Sequence, residues 1–299
     1  MNLVTLFYLV DEFCKAFEPE WHAKQIASGE RKRVRASKMS LSEVMTITIW
    51  FHASNHRTFK KYYLEHVSVH LRDSFPVLVS YNRFLELMSE ASLPLLALMI
   101  SLLAPATQVN FVDSTTLDVC NNRRIWKHKV FKGIAARGRS TMGWFYGLKL
   151  HLTVNERGEI TSFLLTPGNT PDNNQELMHH LTAKLTGKLY ADKGYISHEL
   201  FLSLLQKGIT LITGVRKNMK NQLLSLWDKL MLRKRSIIET INDQLKNSQQ
   251  IEHTRHRSPK NFMTNLVSGL ICYQLQPKKP SIHYSKSEQR LLTQPLLVH

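Results

Sequence analysis

The chain has 299 residues, of which 43% are hydrophobic and 21% charged, and its formal net charge is +17. That length allows one large or two moderate domains, and the composition excludes a disordered or fibrous chain. The charge favours polyanion partners, nucleic acid first.

The three cysteines Cys14, Cys120 and Cys272 form no Cys-x-x-Cys pair. A disulfide framework or zinc knuckle is therefore not expected, and a reducing cytosol is. No basic flank, apolar core and small-residue cleavage site open the chain, so no signal peptide is expected. The most apolar run, Leu93 to Ala104, falls short of the roughly 20 residues that span a bilayer. It reads as a core helix, and no membrane partner is expected.

Residues 1 to about 105 carry helical signals. Leu3, Leu6, Phe7, Val10, Phe13 and Cys14 recur at helical spacing from Asn2 to Phe17. Arg31, Lys32, Arg33, Arg35 and Lys38 follow, as a solvated loop or a phosphate-contacting arm. Ser40 with Glu43 makes a capping box that opens a helix to about Phe51. Further helices are expected over Thr58 to Arg72 and Tyr81 to Ser89, the latter capped by Ser80. Their spacing suits a helix-turn-helix, with no recognition helix identified. This region, 1–105, is expected to bind DNA.

After a boundary near 105–108 the period changes from helical to alternating. Val109 to Val119, VNFVDSTTLDV, reads as a buried strand with one acid, Asp113, at its middle. A charge there costs several kcal/mol unless it is paired or bound to metal. Asp113 therefore has a basic partner, or it faces a cleft and holds a cation. Positions 119–140 hold seven basic residues and no acid, broken by Gly133 and Gly138, as a phosphate-tracking loop. Gly143 to Val154 and Glu159 to Leu165 form a hairpin around the turn Asn155 to Gly158. Helices over 173–185, 198–206 and 233–247 alternate with strands over 187–191 and 209–215. The order is α/β with a mixed sheet. The tail from Gln276 shows little periodicity.

Two-metal phosphoryl transfer needs carboxylates that hold two divalent cations roughly 3.5–4 Å apart, and Mg²⁺ suits the work because it accepts carboxylates together with phosphate oxygens. Asp113 on the first strand, Asp192 at the end of the 187–191 strand and Glu239 on the late helix offer such a set. On that helix Arg235, Glu239, Asn242 and Lys246 share one face, beside apolar Ile237, Ile238, Ile241 and Leu245. An ordinary ion-paired helix would look the same. Asp118 or Asp172 could replace one acid. Cys120 with His128 supplies only two zinc ligands, which is no site. His179 and His180 read as surface residues. Trp126 and Trp144 either stack on flipped bases or pack in loop and core.

Three stretches then carry a resemblance: FVDST with Asp113, LYADKGY with Asp192, and RSIIETINDQLK, where Arg235, Glu239 and Lys246 match an Arg-x3-Glu-x6-Lys pattern. With GWFYGLKLHL and LTPGNTPDN between them, residues 108–250 resemble the DDE transposases of bacterial insertion sequences. A departure is Leu232, where related enzymes often have tyrosine; it bears on the strand-processing route.

The resemblance implies an α/β fold, a ribonuclease H-like mixed sheet flanked by helices, after the all-helical N-terminal region. It implies a catalytic domain over 106–275 and a tail over 276–299. It implies Mg²⁺ dependence through two ions, with Mn²⁺ as substitute, and cleavage and joining of double-stranded DNA at the ends of a mobile element. Asp113, Asp192 and Glu239 would be the catalytic metal ligands, and Arg235 and Lys246 would contact DNA phosphates. Lys149 and Lys193 are further phosphate contacts proposed on their charge. A homodimer or higher assembly on DNA, in the cytoplasm and nucleoid of a bacterium, is expected. The alternatives are a basic DNA-binding or regulatory protein and a metal-dependent nuclease on the same core.

Overall fold

The computed structural model describes residues 1–33, 36–141, 143–215, 219, 223–252, 257–286 and 288. The chain divides into two compact units, residues 1–103, 129–131 and 243–277 in one and 104–128, 132–242 and 278–299 in the other.

The first unit is helical. Asn2 caps α1 (Leu3–Ala27) by accepting from the Thr5 amide, and the expected capping box of Ser40 and Glu43 opens α2 (Leu41–Phe51). The helix expected over 58–72 is three pieces: α3 (Phe59–Lys61), a π-helical stretch Tyr62–Val67 and α4 (Ser68–His70). Next come α5 (Tyr81–Glu90) and α6 (Ser92–Ser101). From the chain's other end comes α11 (Pro259–Gln274), buried from Thr264 to Tyr273. It packs on α2, α5 and α6, burying small polar Thr264, Asn265 and Ser268 together with its apolar residues. No amphipathic period announces it, so it has no counterpart among the sequence expectations. Gly269 permits that packing, since a Cβ there would stand 2.4 Å from the Ile251 side chain. Arg31 pairs with Glu90 at 3.1 Å; Arg35 lies outside the described residues. Among the described residues no single helix is long and apolar enough to cross a membrane, and only the bent α5–α6 pair reaches that length and composition.

The second unit is built on a sheet of β1 (Val109–Cys120), β2 (Ala136–Ser140), β3 (Gly143–Asn155), β4 (Ile160–Pro167), β5 (Gly187–Ala191) and β6 (Ile209–Thr213). Its order is β2-β3-β1-β5-β6, with β4 on β3 beyond the reach of β2. The hairpin strands and β1 are antiparallel, whereas β5 and β6 run parallel to β1. Four strands in antiparallel pairings through β3, followed by two parallel to β1, make the mixed sheet flanked by helices that the resemblance implied. β3 is buried on both faces, as a central strand must be. Residues 136–140 are a strand rather than loop: a Cβ on Gly138 would meet the Gly168 carbonyl at 2.1 Å, so glycine lets this edge strand press in.

Helices cover both sheet faces. α7 (Gln175–Leu181) and α8 (His198–Gln206) bury Leu177, Met178, Leu181, Leu200 and Leu204 with Val112, Leu189 and Leu211. α9 (Leu226–Lys234) packs on β5 and β6. The helix expected over 233–247 breaks at Arg235, which caps α9, and α10 (Ser236–Asn247) begins anew. The tail is tied down where it is described. Ile282 donates to the Glu156 carbonyl, Tyr284 stacks on Trp227, and Lys234 pairs with Glu288 at 3.1 Å.

Candidate active site

β1 and β5 lie side by side in parallel, and their last paired residues are Phe111 and Tyr190. Two residues further along each strand stand Asp113 and Asp192. Strand geometry alone thus places these two acids at one level at the carboxyl end of the sheet. The third segment arrives as α10, whose Ile237, Ile238, Ile241 and Leu245 are buried. That apolar stripe fixes the rotation of the helix, so Glu239 and Asn242 take the polar face.

Arg235 joins the set. Its guanidinium lies 2.5 Å from Glu239 Oε1 and 4.0 Å from both Asp113 Oδ1 and Asp192 Oδ1. Acids from three separated segments therefore meet around one cationic side chain. Asp113 is the sheltered member, with 21% of its side chain exposed, against 58% for Asp192 and 54% for Glu239. Burial pushes the Asp113 carboxyl up to about 6; Arg235 and the Ser114 amide pull it down, and Glu239 and Asp172 push it up again. Asn242 donates from Nδ2 to Asp113 Oδ2 at 3.1 Å, and its own Oδ1 is buried without a partner.

Beside Asp113 sits a second polar knot. Asp172 Oδ1 accepts from Ser114 Oγ at 2.8 Å and from Lys149 Nζ at 3.1 Å, and Lys149 also donates to the Thr170 carbonyl. His151, fully buried, has Nδ1 3.9 Å from Asp172 and Nε2 bonded to Thr166. Burial holds His151 down at about 4, so it is neutral at pH 7. The knot fastens the 168–174 loop to the strand pair that carries Asp113.

The other expected residues fall as follows. Lys149 is largely buried and faces Asp172 rather than the surface. Lys193 is exposed at the start of the 3-10 turn Lys193–Tyr195, directly after Asp192. Lys246 is on α10 and pairs with Glu252 at 3.2 Å. Asp118 is exposed on β1 beyond the cluster, whereas Asp172 belongs to the knot. Asn242 was visible only as a member of the polar stripe, and its bond to Asp113 could not be read from spacing. Asp172, inside the LTPGNTPDN segment, reads in the sequence as a substitute acid, and its bonds to Ser114 and Lys149 could not be read from spacing.

The donors Asp113, Asp192 and Glu239 are hard oxygens of the kind Mg²⁺ takes. Among the described residues no three His, Cys, Asp or Glu side chains converge on one point as metal ligands; the carboxylates are gathered on the Arg235 guanidinium instead. The set fits a divalent cation in donor type and charge, with Arg235 presently balancing it.

A search of curated proteins finds no match. A solved structure, the cryo-EM piggyBac transposase synaptic complex with hairpin DNA, is similar at 14% identity with a TM-score of 0.41, covering 73% of this chain and 52% of that one. The chain thus spans about half the length of that relative. A family model described as the transposase DDE domain matches residues 103–259, the stretch that contains Asp113, Asp192, Arg235 and Glu239, and the chain belongs to the transposase DDE domain family.

Proposed function

We propose that the protein is a DNA transposase that cleaves double-stranded DNA at the ends of a mobile element and joins those ends to target DNA. The observation that carries this is the meeting of Asp113, Asp192 and Glu239 around Arg235, within a family whose members are named for such acids. Asp113, Asp192 and Glu239 would hold two divalent ions, Mg²⁺ with Mn²⁺ as substitute. When bound, these ions supply activation of the attacking oxygen and stabilisation of the leaving one. In the first step water attacks a phosphorus and the bond to the 3′ oxygen breaks, freeing a 3′-hydroxyl. In the second that hydroxyl attacks a target phosphodiester, and the bond from that phosphorus to the target strand's own 3′ oxygen breaks, leaving a 3′-hydroxyl on the target.

Asp113, the most sheltered acid, is oriented by Asn242 and by the strand beneath it. Arg235, whose planar fork suits phosphate as well as carboxylate, turns from the acids to a DNA phosphate. Lys193 and Lys246 add point charges along the backbone, and Lys149 braces Asp172 from inside. The helical unit, with Arg31, Lys32 and Arg33, supplies further duplex contacts. Two copies pairing two ends would form the working assembly.

Asp113→Ala, Asp192→Ala and Glu239→Ala should each abolish Mg²⁺-dependent cleavage of an element-end duplex while leaving DNA binding intact. A variant that cuts at the wild-type rate removes that residue from the site. Labelled ends with a target plasmid separate joining from cutting alone, and an absence of any product would favour a DNA-binding protein.

A further inference from the structure

The second unit carries an aromatic and basic surface away from the acids. Trp126, in the 3-10 turn Asn122–Lys127, is 95% exposed, and Trp144, at the start of β3, is 54% exposed. Asn122 Nδ2 donates to the Trp144 carbonyl at 2.5 Å, so turn and strand end adjoin. Arg139 is the cross-strand partner of Trp144, with Arg137 two residues along. Their guanidinium carbons lie 5.9 and 4.8 Å from the indole centroid. Arg123, Arg124 and Lys127 are exposed around Trp126.

One exposed apolar side chain is ordinary and needs no explanation. Two exposed indoles, one on a turn that Asn122 ties to the strand end carrying the other, with seven basic residues and no acid between positions 119 and 140, are a different matter. An indole offers some 150–250 Å² to a partner, and these two leave most of it to solvent. The arginines on Trp144 orient its ring by cation–π contact. Leu152 is opposite Asp113, and Trp144 lies eight residues before Leu152 on β3. That separation is about 26 Å at strand rise, or about eight steps of a duplex.

We propose that Trp126 and Trp144 form a stacking platform for unpaired DNA bases, with Arg123, Arg124, Lys127, Arg137 and Arg139 on the adjoining phosphates. The proposal rests on the DNA-directed function above and adds to it a specific preference for opened over paired DNA. Stacking on an aromatic face is tolerant of sequence. Extracting a paired base costs a few kcal/mol, so bases already unpaired are favoured. The platform would hold opened bases about eight steps from the cleaved phosphate.

The test is fluorescence anisotropy on the full chain with two probes, a fully paired duplex and the same duplex carrying a short thymine bubble. The wild type should bind the bubble about ten-fold tighter. Trp126→Ala/Trp144→Ala should lose that preference and keep its affinity for the paired probe. The single variant Trp126→Ala, at a site too exposed to support the fold, should lose part of the preference. Indole fluorescence should be quenched by the bubble in the wild type. Equal binding of both probes by the wild type, or full preference in the double variant, overturns the platform alone. Failure of the wild type to bind either probe overturns the DNA reading and the platform with it.

Discussion

Asn242 on α10 donates its side-chain amide to Asp113 on β1 across 3.1 Å, tying the helix that carries Glu239 to the strand that carries the first acid. Arg235, the residue just before α10, stands 4.0 Å from the same carboxylate. Groups that orient a metal-holding carboxylate typically matter 10–100-fold. Asn242→Ala should therefore lower the cleavage rate by about that factor while leaving DNA affinity unchanged. Asn242→Asp sets a like charge against Asp113 and should move the acid limb of the pH–rate profile upward. An unchanged profile in Asn242→Asp would remove the residue from any positioning role.

The pH dependence of Asp113 has a definite sign. Burial raises its folded-state value to about 6 from 3.8, so folding favours the neutral form. Its contribution is fully present below the unfolded value and is lost as pH rises through about 6. Asp113→Asn, neutral throughout, should gain on the wild type in melting temperature between pH 4 and pH 7, and Mg²⁺ should narrow the gap at pH 7. Cation affinity, followed by calorimetry, should rise over the same interval because the proton and the cation compete for one carboxylate.

Lys149 gives a test that separates bracing from DNA contact. Its ammonium is 3.1 Å from Asp172 and mostly buried, and removing one partner leaves the other charge unmatched. Lys149→Met should cost about 2 kcal/mol of stability, and Lys149→Met/Asp172→Asn should cost less than the sum of the single changes. The slope of log affinity against log salt should stay at its wild-type value. A slope shallower by about one would make Lys149 a phosphate contact.

Asp228 holds the opposite flank of the sheet together. It accepts from Lys188 Nζ and Tyr190 Oη at 2.8 Å each and from Ser225 Oγ at 2.6 Å. Burial works to raise its carboxyl, but the hydrogen bonds from Lys188, Ser225 and Tyr190 outweigh it and hold the value below 3.8. Asp228→Ala should cost about 3 kcal/mol in urea unfolding. For Asp228→Asn the loss should be complete at neutral pH and shrink below about pH 4, because the native carboxylate's advantage exists above the unfolded value and disappears as pH falls. A loss independent of pH would assign the effect to packing.

The strands, and the elements that carry Asp113, Asp192 and Glu239, were legible because their signals are local. VNFVDSTTLDV is β-branched around Asp113, and RSIIETINDQLK spaces its apolar residues so that only one face can be buried. Other features depend on distant partners and leave no local trace. The helix broken at Arg235 follows an unbroken apolar period, and the break falls at the residue whose guanidinium stands 4.0 Å from Asp113 and Asp192. β2 is a strand because Gly138 and Gly168 can touch, a fact of two positions thirty apart in the chain. α11 mixes Thr264, Asn265 and Ser268 among its apolar residues and is buried all round, so it has no clear period to find until α2, α5 and α6 surround it. Lys149 looked like an outward cation because strand alternation gives a face and not what covers it.

The parallel pairing of β1 and β5 divides the three acids unequally. Asp113 and Asp192 ride on neighbouring strands a ladder spacing of about 4.8 Å apart and cannot separate without tearing main-chain hydrogen bonds. Glu239 is carried by a helix that starts fresh after the break at Arg235. Two of the acids are therefore held by a main-chain ladder, and the third by side-chain contacts alone, through Asn242, Arg235 and the buried apolar stripe of its helix.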